Sequence, residues 1–291
     1  METTLWNVSA TPFNFLSLGG GVQSSTMALM TAHGLIEPTP NAAIFADTQV
    51  EPRSVYIWLD WLRSEIARSP RPFPVYTVTN GNLMERALTI HTAKDGRRYT
   101  RSDVPTFLIN ANGEKGMIPN RACTGDFKIK PILKKVRELA GIKRGQKEIT
   151  VTQWIGISWD EMQRAKLSRD KWCQNRWPLI ERKMTRAMCL AWMKARGYPQ
   201  PPRSACSFCP FHNDTEWRRL KLEEPEAFAQ AVYFDRRLRA LKAETNNFRS
   251  IPFVHPSLKP LDEVDFSNEE DRGQLNLWQD FNVECEGMCG V

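Results

Sequence analysis

The chain has no uninterrupted apolar run of the ~18 residues a membrane-spanning helix needs, so no such helix and no membrane partner is expected. The opening Met1-Glu2-Thr3-Thr4-Leu5-Trp6 lacks the basic start and apolar core of a secretory signal, which makes the cytoplasm the expected compartment. No internal repeat and no low-complexity linker interrupts the 291 residues. The seven cysteines are odd in number and unevenly spaced, which does not suit a closed disulfide framework. In a reducing compartment such cysteines act as metal ligands, nucleophiles or core residues. Two phosphate-binding signatures are also missing: no Gly-Lys-Ser/Thr follows the glycine cluster, and Gly-x-Gly-x-x-Gly does not occur at the right spacing.

What is present fits a soluble globular chain of one large domain, or a domain plus a smaller lobe, with 41% hydrophobic and 25% charged residues. The net charge of +7 favours anionic partners, a nucleotide or a nucleic acid, although it would also serve solubility alone. The excess is concentrated in one segment that includes Lys115, Arg121, Lys128, Lys130, Lys134, Lys135 and Arg137. For Lys134, Lys135 and Arg137 a solvated helix face is the simpler reading.

Short apolar runs at 13–17, 42–46 and 74–78 read as buried strands, with helices at 22–33 and after Pro52 between them. A further helix, capped by Asn80, is predicted to reach about residue 90. Residues 92–120 are polar and read as a hairpin or loop; 131–139 as a helix; 149–157 as another strand-like run. Thr185 caps a predicted helix to about Arg196, and two more helices follow from Asp214 and over 225–244. Alternating strands and helices imply a parallel sheet covered by helices. The expected division is an α/β nucleotide-binding region over 1–165 and a cysteine-containing helical and irregular region over 166–291, packed together as one unit.

The sharpest signal is Ser17-Leu18-Gly19-Gly20-Gly21-Val22-Gln23-Ser24-Ser25-Thr26, set between the first strand and the first helix. Glycines let the backbone turn sharply and approach an anion. The free amides and dipole of the helix start then attract it. Ser24, Ser25 and Thr26 add hydroxyl donors. Asp47 and Thr48 end the second strand, where α/β sheets bind ligands.

This loop resembles the PP-loop of the N-type ATP pyrophosphatases, written Ser-Gly-Gly-x-Asp-Ser. Gly19 stands at the leading serine and Gln23 at the aspartate. Later segments resemble one branch of that superfamily, the phosphoadenylyl-sulfate reductases. Phe45-Ala46-Asp47-Thr48 with Pro52 is similar to its Val-Asp-Thr-Gly-x-x-x-Pro turn. Residues 121–132, beginning Arg121-Ala122-Cys123-Thr124, are similar to its Cys-Cys-x-x-x-Lys-Val-x-Pro-Leu segment, with Thr124 in place of one cysteine. Trp154-Ile155-Gly156-Ile157-Ser158, with Arg164 beyond, is similar to its Gly-Ile-Arg-x-x-x-Ser segment. The resemblance spans most of residues 13–212. It implies an adenine nucleotide alpha hydrolase-like sheet with helices on both faces. It also implies a nucleotide site at Ser17, Gly19, Gly20, Gly21, Gln23, Ser24, Ser25, Asp47, Thr48, Gly156 and Arg164. ATP, with magnesium as a possible companion, or adenylyl sulfate would occupy it. Arg121, Lys128 and Lys130 would hold the substrate's anionic end.

Cys206-x-x-Cys209 has the spacing of two thiolates that share one metal or cluster. Cys123 is the first candidate for a third ligand and Cys189, on the helix just before the pair, for the fourth. By resemblance to the reductases with tandem cysteines, such a set holds a [4Fe-4S] cluster. Structural zinc, with His212 able to replace one cysteine, and a redox dithiol at Cys206 and Cys209 stay open. The tail carries Cys285 and Cys289, similar to the family's terminal Glu-Cys-Gly, and implies a catalytic thiol there. Lys166, Arg169, Lys171, Trp172, Arg176 and Trp177 interleave cations with aromatics, a mixture that can grip nucleic acid; a packed lid is the alternative. Three functions follow: a phosphoadenylyl-sulfate reductase-like enzyme, an ATP-dependent sulfurtransferase acting on tRNA or DNA with a sulfur-donor protein as partner, and a non-catalytic nucleotide-binding protein with structural zinc.

Overall fold

The computed structural model describes residues 10–101, 103–109, 112–245 and 250–267. The chain opens with β1 (Phe13–Leu18), α1 (Val22–Ala32), β2 (Ala42–Asp47), α2 (Arg53–Ala67) and β3 (Val75–Thr79). Apolar strands bounded by glycine or proline produce this alternation, much as the sequence implies. Helix α3 (Leu83–Leu88) starts later than expected. Gly81 takes a φ of 87° and turns the chain, so Asn82 rather than Asn80 becomes the cap and accepts from the amides of Met84 and Glu85. Asn80 donates instead to the Asp126 carbonyl.

Two small antiparallel hairpins follow, β4 (His91–Thr92) with β5 (Arg98–Tyr99) and β6 (Thr106–Ile109) with β7 (Lys115–Ile118). Next come α4 (Ala122–Thr124), a wide π turn over Gly125–Ile129, and α5 (Lys130–Leu139). Strand β8 (Val151–Ile155) returns to the sheet. A 3-10 turn over Trp159–Arg164 leads to β9 (Cys173–Arg176), α6 (Pro178–Glu181) and α7 (Arg186–Ala195), which Thr185 caps. Helices α8 (Asp214–Glu223) and α9 (Pro225–Glu244) precede an irregular stretch that pairs once with β6, Phe253 against Phe107.

The five long-range strands form one parallel sheet in the order β3-β2-β1-β8-β9. This is an α/β fold. Strand direction alternates side chains between faces. Leu16, Leu18, Ala43, Phe45 and Trp154 pack under α1, α2 and α7. On the other face Phe15, Ala42, Ile44 and Val151 pack under α5. A separate apolar cluster joins α3, α8 and α9 to Phe127, Phe208 and Phe266. Strand β9 was not read from the sequence. It lies beyond residue 165 yet completes the sheet, so the expected nucleotide-binding region borrows a strand from the second. From β1 the chain builds outward to β2 and β3, then returns to β8 on the other side. The crevice between the ends of β1 and β8 is therefore the topological switch point, where α/β sheets take ligands.

Candidate functional site

A cleft of about 830 Å³ opens at that switch point. Its floor is the glycine loop. Gly20 has a φ of 81°, the left-handed region that favours glycine, and a Cβ there would sit 3.3 Å from Ser204 Oγ. Gly156, just past β8, is held closer still: a Cβ would lie 2.8 Å from the Ser24 nitrogen. The loop is braced from within. Ser24 Oγ accepts from the Gly19 amide at 3.1 Å, and Ser204 donates to the Gly19 carbonyl. Gln153 donates to Ser17 Oγ. Gly21 caps α1 without a side-chain bond.

Ser17, Gly19, Gly21, Gln23, Ser24, Gly156 and Arg164 all line the cleft, as do Arg121, Lys128 and Lys130. These residues come from β1 and the loop after it, the start of α1, the segment from Arg121 through the π turn to α5, and the stretch after β8, and only the fold brings them together. Four of the expected nucleotide contacts are not in the lining: Gly20, which turns the loop, and three that are engaged elsewhere. Ser25 is buried and accepts from Trp58 Nε1 at 3.0 Å, because its position on α1 faces α2. Asp47 accepts from the Gln49 amide and the Tyr56 hydroxyl, closing the turn after β2. That bond, with burial as the larger cause, holds the Tyr56 phenol well above its usual range. Thr48 is buried and donates to Glu51 Oε1 at 3.1 Å.

The walls are cationic. Arg121, Lys128, Lys130, Arg164, Lys166, Arg169 and Arg203 line the cleft against two acids, Glu161 and Asp170. Some of this charge is offset: Arg164 pairs with Glu161 at 2.8 Å, and Gln23 donates to the same carboxylate at 3.2 Å. Arg121 stacks over the Phe211 ring at 4.4 Å. Helix breaks of the π type are common at functional sites, and this one carries Lys128. Lys166 and Arg169 reach the cleft, whereas the aromatic part of the expected nucleic-acid grip is buried. Trp172 and Trp177 are core residues, and Arg176 is held by Glu181 at 2.8 Å. Strand β9 turns that segment into sheet.

Behind the cationic wall is a second, small cavity of about 30 Å³, which shares Arg121, Thr124 and Lys128 with the cleft. Cys123, Cys206 and Cys209 line it. A tight turn holds the pair, with the Cys209 amide donating to the Cys206 carbonyl at 2.9 Å. Cys189 is not with them. It is fully buried under the sheet among α1 and α7 side chains. The tail residues Cys285 and Cys289 lie outside the described residues.

Buried groups surround Cys206. Its thiol donates to Glu51 Oε1 at 3.6 Å and lies 3.2 Å from Thr48 Oγ1. Lys128 Nζ is 3.6 Å from the same Glu51 oxygen. Burial, and then the Glu51 charge, push the Cys206 thiol well above its ordinary pKa. His212 meets the Cys206 carbonyl at 2.9 Å and packs edge-on against Trp217. Burial lowers its pKa to about 3, so it is neutral at physiological pH.

The donor set can be tested against the expected metal. A four-thiolate site needs a fourth sulfur, and Cys189 is in a different core. Among the described residues no three His, Cys, Asp or Glu side chains stand together as a ligand set.

No family model, curated protein or solved structure matches the chain.

Sequence reasoning missed Gln153, Glu51, Arg203 and Ser204. Gln153 had a signal: a polar residue within the buried run Val151-Thr152-Gln153-Trp154-Ile155 must have a partner or a purpose. Glu51 had none, since a lone acid before a helix looks like an ordinary first-turn charge.

Proposed function

We propose that the cleft binds an adenine nucleotide with an anionic tail and that the chain is a phosphoadenylyl-sulfate reductase-like enzyme of sulfur metabolism. The observation that carries this is the meeting of the glycine loop and seven cations in one cleft, with three cysteines directly behind its cationic wall. The loop amides and the start of α1 would hold a phosphate. Arg121 and Lys128, nearest the cysteines, would hold the sulfate.

The lining favours a sulfonucleotide over magnesium ATP. Among the described residues only Glu161 and Asp170 bring carboxylates to the cleft, and Glu161 is engaged by Arg164 and Gln23. Magnesium sites use carboxylates together with substrate phosphates. A site this rich in cations neutralises sulfate and phosphate directly.

In the reductase reaction a thiolate attacks the sulfate sulfur. The bond from sulfur to the phosphate oxygen breaks, and the nucleoside phosphate leaves with the electron pair. A second thiol then attacks the cysteine sulfur of the enzyme thiosulfonate, the bond from that sulfur to the sulfonate breaks, a disulfide closes and sulfite leaves with the electron pair. Two thiols lose two electrons, and sulfur gains two. Cys285 or Cys289 would be the attacking thiol, and arginine and lysine at the sulfate would stabilise the charge that moves onto the leaving oxygen.

The second reading, an ATP-dependent sulfurtransferase, is favoured by Lys166 and Arg169 at the cleft, which would serve a polyanionic acceptor. One experiment separates the two. The full chain is incubated with a dithiol reductant and, in parallel, adenylyl sulfate, phosphoadenylyl sulfate or magnesium ATP with tRNA or DNA. Sulfite with nucleoside phosphate supports the reductase. Pyrophosphate release transfers the proposal to the sulfurtransferase. Binding without either product leaves only the nucleotide-binding role.

A further inference from the structure

Polar side chains interrupt one face of the sheet where it meets the cleft. On the α5 side, Phe15, Val151 and Cys173 from β1, β8 and β9 belong to an apolar core. Two residues further along each strand, on the same face, stand Ser17, Gln153 and Asn175. All three line the cleft. Gln153 and Asn175 are neighbours in the register of β8 and β9. Gln153 is only 9% exposed, and an apolar residue there would extend the core beside it at less cost. Its Nε2 donates to Ser17 Oγ, and its Oε1 has no hydrogen-bond partner among the described residues. Asn175 Nδ2 donates to the Lys166 carbonyl at 2.8 Å. A carbonyl can only accept, so this bond fixes which way the Asn175 amide faces and leaves its Oδ1 as the free end. Ile132 and Leu133 of α5 pack on this face of the sheet and also line the cleft. Leu167, 65% exposed, lines it next to Lys166.

We propose that this polar shelf selects the base of the nucleotide: the amide oxygens of Gln153 and Asn175 accept the two hydrogens of an exocyclic amine, and Ser17 donates to the ring nitrogen beside it. The inference rests on the nucleotide reading of the cleft and adds which residues choose the base. Ser17 Oγ already accepts from Gln153, so its own proton is the one it has to give. Adenine presents the matching pattern, an amine next to an acceptor nitrogen. Ile132, Leu133 and Leu167 supply aliphatic surface for the ring, and the few polar groups fix its orientation. Hypoxanthine, with oxygen in place of the amine, would set an acceptor against two acceptors. The Asn175 amide cannot turn over to meet it without placing its own oxygen against the Lys166 carbonyl. Sites built in this way discriminate because the wrong ligand leaves shielded polar groups unpaired. The phosphates stay at the glycine loop, so base and tail are held by separate parts of the cleft.

The test uses the full chain in titration calorimetry with ADP, with IDP, in which oxygen replaces the amine, and with inorganic pyrophosphate. The parent should bind ADP about tenfold more tightly than IDP, or better. Asn175→Leu and, separately, Gln153→Met should each cut that preference to about threefold or less, chiefly by weakening ADP. Pyrophosphate should bind both variants as it binds the parent, because it reaches only the glycine loop, and this also shows that each variant is folded. Position 175 lies on the edge strand and 153 inside the sheet, so the two substitutions load the fold differently. Equal affinities for ADP and IDP in the parent overturn the inference alone, since the cleft still binds nucleotide. A preference that survives both substitutions overturns it too, by removing Gln153 and Asn175 from the choice. A parent that binds none of the three ligands overturns the nucleotide reading of the cleft, and this inference with it.

Discussion

The two walls of the cleft are built by different means. The glycine-loop wall is backbone against backbone: Gly156 packs on the Ser24 nitrogen, and serine hydroxyls tie the Gly19 amide and carbonyl. The cationic wall is long side chains, with Lys128 held by buried Glu51 and Arg164 by Glu161, and a largely buried ion pair outside the cleft lining backs it. Arg86 bonds both oxygens of Asp103, whose side chain is 2% exposed, and also reaches Asp126. The Asp103 carbonyl in turn accepts from the Cys123 amide at 2.8 Å. The first wall fixes position through sterics, which salt and pH leave alone. The second fixes position through charge, which one substitution can unbalance. Anion binding should thus fail in distinct ways at the two walls.

The largest effect is expected where a buried acid loses its partner. Arg86→Met leaves Asp103 without its guanidinium, and breaking such a pair costs about 3–5 kcal/mol. Chemical denaturation should show that loss, and Asp103→Asn in the Met background should recover much of it. The steric wall is probed by Gly156→Ala. The added methyl meets backbone that cannot swing aside, so about 1–3 kcal/mol of stability should go, with nucleotide affinity falling too. If the alanine variant binds as tightly as the parent, the loop is not the tight steric wall described.

Acid should act through His212, which lies beside the cysteine turn. Its pKa is about 3 when folded and 6.5 when free, so the unfolded chain binds the extra proton between those values. Its contribution to stability is full above about pH 6.5, declines as pH falls and levels off near pH 3. The slope approaches about 1.4 kcal/mol per pH unit within that window. His212→Gln should flatten this part of the stability profile in urea titrations.

How much of this was legible depended on chain distance. The loop between β1 and α1, and the strand turn at Asp47, are local patterns, and the structure keeps them as elements. Their roles were harder to assign. Ser25 looks equivalent to Ser24 in sequence, yet one residue along a helix is a rotation of about 100°, which sends it to Trp58 instead of the cleft. Cys189 looked like a ligand through its nearness to Cys206, but α7 faces the sheet. Trp172 and Trp177 looked like a base-stacking surface because Cys173-Gln174-Asn175-Arg176 has no strand pattern of its own. It pairs with β8 as the edge of the sheet, and tertiary contact overrides weak local preference there.

The smallest effect expected is also the sharpest test of the charged wall, because it compares two lysines in one turn of chain. Lys128 is 12% exposed and faces both the cleft and the cysteine cavity, whereas Lys130 is 73% exposed and pairs with Asp126. A charge shielded from water interacts more strongly with an anion than one at the surface. Lys128→Met should weaken adenylyl sulfate binding by about tenfold, roughly 1.4 kcal/mol, and hold that loss at high salt. Lys130→Met should weaken it by about twofold at low salt and less as salt rises, in the manner of exposed pairs. Equal losses at the two positions, read by titration calorimetry at two ionic strengths, would place the anion at the mouth of the cleft rather than against the wall it shares with Cys206.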